Sequence, residues 1–174
     1  MTESISAFQE KVSALRNEAL RLEEDATYSS KSHFNAEDTW LCRNYWLGIP
    51  ATGLGAIAGA TLIKSNPELA TAFTLFASLL TGLMTFLKPN ERASLHHTAG
   101  GKFLALKNEA RFFREVELVQ SDKLGELTKQ LKMLSATRNE LNLKSPSVPR
   151  HAFVAARIGI EEGEAEHKVD KEKT

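Results

Sequence analysis

Two stretches without a charged side chain, Tyr45–Ile63 and Leu69–Leu87, constrain this chain more than any other feature. Each is about 19 residues long, close to the ~20 that a helix needs to cross a hydrocarbon core of about 30 Å. Only Lys64, Ser65, Asn66, Pro67 and Glu68 separate them. In lipid the backbone must satisfy its own hydrogen bonds, which makes a helix the natural form of each stretch. The expected fold is an all-α membrane protein. Two helices form a transmembrane hairpin, and N- and C-terminal cytoplasmic helices make a stalk or bundle. Averages hide this pattern. The 174 residues carry 22 basic and 22 acidic side chains, and the mean hydropathy is slightly negative. Those values alone describe an ordinary soluble domain.

The polar remainder is patterned as helix. Ile5, Phe8, Val12, Leu15, Ala19, Leu22 and Ala26 recur at alternating intervals of three and four, the seam of a coiled coil or a narrow helix contact. The polar run Tyr28–Asn35 allows either a continuing helix or a bend, with Asn35 as a possible cap for a second helix. After Lys88-Pro89-Asn90 a long helical stretch carries a matching seam: Phe103, Leu106, Ala110, Phe113, then Leu124, Leu127, Leu131, Leu134 and Leu141. Ser121-Asp122 followed by Gly125 suggests a break. Ser145–Pro149 reads as a linker, and Phe153, Val154, Ala156 and Ile160 as one short amphipathic turn. The resulting layout is a cytoplasmic helical region over 1–43, a first span over 44–63, a loop over 64–68 and a second span over 69–87. A second cytoplasmic region covers 88–144, a linker with a short helix 145–160, and a charged flexible tail 161–174.

The spans are rich in small residues. Ala51, Gly55 and Gly59 share one stripe of the first, and Ala70, Thr74, Ser78 and Gly82 one stripe of the second. Lipid tails are as apolar as leucine, so helices associate in a membrane by close packing, which small residues permit. Thr74, Ser78, Thr81 and Thr85 are candidates to line a weakly polar path if several second spans meet. Neither span holds an ionisable group, so no charged selectivity ring is expected at membrane depth. Trp40, Tyr45 and Trp46 suit the headgroup region. Arg43, Lys88 and Arg92 flank the spans on one side against Lys64 on the other, which places both termini in the cytoplasm by the positive-inside rule. The polar first 40 residues carry no secretory leader pattern.

Chemistry is sparse. Gly53-Leu54-Gly55-Ala56-Ile57-Ala58 has the letters of a dinucleotide fingerprint but not the strand–turn–helix context, and helix packing explains its glycines. His96 and His97 are adjacent, so on a helix they do not share a face and do not bind one metal together; they read as surface or interface histidines. Cys42 is a plain interfacial cysteine before it is an acylation target. No nucleophile–base pair, paired carboxylates or phosphate loop is present. The reading is therefore non-enzymatic, with no catalytic residue, metal or cofactor. Balanced charge argues against DNA or RNA as a partner. Tyr28, Lys31, His33 and Asn35 offer polar groups for a ligand or partner, beside the plainer reading of a solvated helix face.

A heptad-like helix leading into Tyr28-Ser29-Ser30-Lys31-Ser32-His33-Phe34 is followed by two spans with a very short loop. The second span ends in Leu87-Lys88-Pro89, and the next helix carries Phe103-Leu104-Ala105-Leu106 and Arg111-Phe112-Phe113-Arg114. Over residues 5–160 this resembles the SLATT superfamily, two-transmembrane effector domains associated with SMODS nucleotidyltransferases and SLOG sensors. The resemblance implies a multi-pass inner-membrane protein and a homo-oligomer. It implies an effector of a prokaryotic antiphage or conflict system, triggered by a signal from a separate sensor or nucleotide-producing protein. Such an effector forms a pore or disrupts the membrane, causing cell death or growth arrest. Whether a nucleotide binds this chain directly stays open. The alternative is a membrane anchor presenting a helical platform to partner proteins.

Overall fold

A computed structural model describes residues 2–60, 66–121 and 123–165, with side chains from residue 6 onward. Every regular element among them is helical: α1 (Thr2–Gly59), α2 (Pro67–Leu87), α3 (Pro89–Phe112), a π-helical turn (Phe113–Glu117), α4 (Leu118–Gln120), α5 (Leu124–Lys144) and α6 (Arg150–Glu161). The chain divides into two compact units. Unit 1 combines Met1–Asn35 with His96–Thr174, and unit 2 is Ala36–Leu95.

Unit 1 is built on the seam. Ala19 and Leu22 of α1 pack with Ala110, Phe113, Leu118, Leu127 and Leu131, drawing α1, α3 and α5 into one core. A second cluster joins Ala26, Phe103 and Leu106, backed by Leu134 and Leu141. Arg114 ties the bundle to α1 through Glu23 at 3.0 Å, and Arg138 does so through Asp25 at 2.7 Å. The π-helical turn has a packing cause. Phe113 and Leu118 lie five apart and are both buried. The Leu118 N–H bonds to the Phe113 carbonyl, which accommodates one extra residue without losing the core face. The helix then stops at Ser121, which is extended (φ −120°, ψ 129°), close to the expected break.

Three expectations need correction. Of the two forms open to Tyr28–Asn35 the continuing helix holds, since α1 is one helix from Thr2 to Gly59, so the cap allowed at Asn35 is the reading that fails. The Asn35 side-chain N–H donates instead to the Ala152 carbonyl, 3.2 Å away. The final short helix buries Ala152, Ala156 and Gly159, whereas Phe153 is 44 % exposed, so the apolar face assigned to Phe153, Val154, Ala156 and Ile160 is rotated. Small residues let α6 lie close: a Cβ on Gly159 would strike the Glu164 carboxylate and the Lys31 ammonium. Those two groups form an ion pair, so the described part of the supposed flexible tail, 161–165, is held in place as far as Glu164.

Unit 2 reverses the pattern. Asn66 precedes α2, Pro67 opens it and Glu68 lies in its first turn, where a missing N–H and a negative charge suit a helix start. No residue of α2 is buried. Leu75, Phe76, Leu79 and Phe86 are all exposed, Phe86 at 84 %. Lys88 closes α2 in the left-handed region (φ 46°), its N–H bonded to the Met84 carbonyl at 2.9 Å. Two guanidinium groups lie against the Trp40 ring, Arg43 at 4.5 Å and Arg92 at 5.0 Å from its centre. The end of the first charge-free stretch, Thr61–Ile63, and Lys64 and Ser65 of the loop lie outside the described residues. Among the described residues one helix, the apolar one beginning at Pro67, is long and apolar enough to span a membrane.

Candidate functional site

Two places in the chain carry features that packing alone does not explain. The first lies in unit 2. Ala51, Gly55, Ala58 and Gly59 of α1 and Thr74, Ala77, Ser78 and Thr81 of α2 line one groove of about 610 Å³. The expected small-residue positions Ala51, Gly55, Gly59, Thr74 and Ser78 therefore share one feature. Ala70, Gly82 and Thr85 are not among its lining residues. The close approach expected at the glycines is not made within one chain: a Cβ added at Gly55, Gly59 or Gly82 would meet nothing within 4 Å. The glycine that α2 does crowd is Gly48, where a Cβ would lie 3.3 Å from the Met84 methyl.

The hydroxyls of α2 are satisfied by their own helix. Thr74, Ser78 and Thr81 donate to the carbonyls of Ala70, Thr74 and Ala77, each at 2.8 Å, and Thr85 donates to Thr81 at 2.9 Å. A donor so engaged carries little desolvation cost in an apolar medium, while the oxygen keeps lone pairs for water or a neighbouring helix. Such a surface tolerates either lipid or a weakly polar path.

The second place lies in unit 1. Continuing the seam of α1 beyond Ala26 leads to Ser30 and His33, and both are buried. On α3 the same face carries His96, Gly100 and Phe103. His33 Nδ1 lies 2.9 Å from His96 Nδ1, so one imidazole donates and the other accepts. His33 also stacks on Phe103, with ring centres 5.5 Å apart. Burial, assisted by the neighbouring His96, lowers the His33 pKa to about 4, so at neutral pH it is uncharged. Ser30 donates to the Gly100 carbonyl at 2.9 Å. Gly100 is required there: any Cβ would come within 2.9 Å of the Phe34 ring. His96 is thus not the surface or interface residue expected from its sequence neighbourhood, whereas His97 is exposed and meets Phe34 edge-on.

Beside this cluster opens a cavity of about 420 Å³. Tyr28, Ser32, His33 and Phe103 form one part of its wall, and Asn142 with the Ser145–Val148 turn and Phe153 the other. Ser32 is 1 % exposed and its hydroxyl has no hydrogen-bond partner. Of the four residues singled out from sequence, Tyr28 and His33 reach the cavity. Lys31 is held by Glu164 and Asn35 by Ala152. Ser32, Phe103, Asn142 and the Ser145 turn were not singled out. Only the seam, extended past Ala26, pointed towards this face. Among the described residues no group of three or more His, Cys, Asp or Glu side chains is placed to hold a metal ion. Comparison with known proteins finds no matching family model, no similar curated protein and no similar solved structure.

Proposed function

We propose that this chain is a signal-activated membrane effector of a prokaryotic conflict system, a non-enzymatic protein whose two apolar segments insert as a hairpin with both termini in the cytoplasm. One observation carries the membrane part: α2 has 21 residues, only Glu68 among them charged, and none is buried by the rest of the chain. An unburied row of Leu and Phe is costly in water, at about 25 cal/mol per Å² of apolar surface, and costs nothing in lipid. The flanking Trp40, Arg43, Tyr45, Trp46, Lys88 and Arg92 suit a headgroup layer.

The effector part rests on the resemblance to SLATT domains and on the groove. Two helices cannot enclose a water path, so permeation requires several copies, with homo-oligomerisation through the small-residue stripes. Thr74, Ser78, Thr81 and Thr85 then line a weakly polar route. With no ionisable group at that depth, the leak is non-selective and closes by dewetting. A separate sensor or second-messenger enzyme supplies the signal.

The test is membrane potential, followed with a voltage-sensitive dye in bacterial cells expressing the chain with its neighbouring genes under phage challenge. Depolarisation is expected. It should be lost in the Gly55→Leu, Gly59→Leu, Ser78→Leu variant, which still inserts. A chain that inserts yet never depolarises cells is an anchor for partner proteins, not a pore.

A further inference from the structure

The cavity of unit 1 has no role in permeation, and what lines it is specific. Its lining combines aromatic faces from Tyr28, Phe103 and Phe153, hydroxyls and an amide that include Ser32 and Asn142, the His33 imidazole, and the aliphatic Pro146 and Val148. None of the lining residues is Asp, Glu, Lys or Arg. Of the three lysines that adjoin lining residues in sequence, Lys31 is paired with Glu164 and Lys144 with Glu140 at 2.6 Å, and Lys102 is exposed on the outside of α3. A ligand charge placed here would be desolvated with no counter-charge to meet it, which is strongly unfavourable. A purely apolar ligand would cover the hydroxyls and the amide without satisfying them.

The Ser32 hydroxyl is the second, independent observation. A helical serine usually donates to the carbonyl four residues back, as Ser78 does at 2.8 Å. Ser32 does not; it is buried, lines the cavity and has no partner. An orphaned buried hydroxyl costs of the order of a hydrogen bond and persists where something else completes it. The volume of about 420 Å³ lies in the range of small-molecule sites and well above what one water fills.

From this we infer that the cavity between Tyr28, Ser32, Phe103, Asn142 and the Ser145–Val148 turn is a binding site for an uncharged, planar heteroaromatic molecule with an amide-like hydrogen-bonding edge. The flat face lies against the aromatic wall, and the polar edge meets Ser32 and Asn142. The inference concerns unit 1 and stands whether or not the chain forms a pore.

Isothermal titration calorimetry of the full chain in detergent micelles tests it. Adenine, uracil and nicotinamide serve as neutral probes and benzoate as a charged ring of similar size. At least one neutral probe is expected to bind, and benzoate at least about tenfold more weakly, as an unpaired buried charge demands. Ser32→Ala or Asn142→Leu should weaken the neutral probe by about tenfold, the effect of one lost buried hydrogen bond. Asn142 is exposed, so its variant keeps the fold; circular dichroism verifies this. Binding of none of the three neutral probes, equal binding of benzoate, or binding untouched by both substitutions overturns the assignment.

Discussion

The two units solve opposite solvation problems with the same helix. Unit 1 builds a buried apolar core, with Leu22, Leu106 and Phe113 at about 1 % exposure. It also brings polar groups inside and pairs most of them, Ser30 with the Gly100 carbonyl and His33 with His96. Unit 2 turns its apolar side chains outward and ties each described hydroxyl of α2 back to its own backbone. The first arrangement suits a segment in water, and the second suits the apolar surroundings proposed for α2. Mutations should therefore behave differently in the two halves, and four comparisons sharpen or break the contrast.

The largest effect is expected at paired aromatic sites. Phe113→Ala should destabilise unit 1 by about 3–5 kcal/mol, the usual cost of emptying a core phenylalanine site. Phe86→Ala, at a position 84 % exposed, should change stability in detergent by less than about 0.5 kcal/mol. Chemical denaturation followed by helical circular dichroism measures both. Equal losses would mean that Phe86 is buried in the protein as it exists in micelles.

Next comes pH. His33 has its pKa lowered from 6.5 to about 4 by burial and by His96. The unfolded chain then takes up a proton that the folded chain refuses. Stability from this group is complete above pH 6.5 and is lost as pH falls from 6.5 towards 4, by about 3 kcal/mol in total. Only when both rings are protonated do both facing Nδ1 atoms carry hydrogens, which breaks their bond. His33→Leu should flatten that window in a melting-temperature series, and an unchanged slope would remove His33 as its source.

Smaller still is the hydroxyl comparison. Ser30→Ala removes a buried bond to Gly100 and should cost about 1 kcal/mol, whereas Ser78→Ala removes only a back-bonded hydroxyl and should cost about 0.5 kcal/mol or less. Ser32→Ala has the opposite sign: deleting an orphaned hydroxyl leaves the empty protein as stable or raises its melting point by a degree or two, an effect of a few tenths of a kcal/mol. A clear loss of stability there would show that Ser32 has a partner in solution.

Much of this architecture is written locally. The seam positions Ala19, Leu22, Ala26, Leu106, Phe113, Leu127 and Leu131 are all buried, because a three-and-four spacing fixes one helix face whatever covers it. The Ser145–Pro149 linker and the break at Ser121 follow from Pro, Ser and Gly chemistry in the same way. What escaped reading depends on distant partners. Tyr-Ser-Ser-Lys-Ser-His-Phe-Asn left helix and bend both open because its helix propensity is weak, and contacts such as Ser30 with Gly100, 70 residues away, decide for the helix. His33 and His96 are 63 residues apart, and neither carries a local sign of the other. Asn142 and the Ser145 turn join the cavity only because α5 ends beside α1, which no periodicity states.

The π-helical turn at Phe113–Glu117 acts as a phase correction. An α-helix advances about 100° per residue, so one surplus residue would rotate everything beyond it by that angle. Folding the surplus into a single wide turn lets the segments on either side keep time with one common core. Removing one residue from Arg114–Val116 takes out the surplus itself: Phe113 and Leu118 then lie four apart, and an unbroken α-helix keeps both in the interior they now share, whereas adding a second residue there would shift the beat.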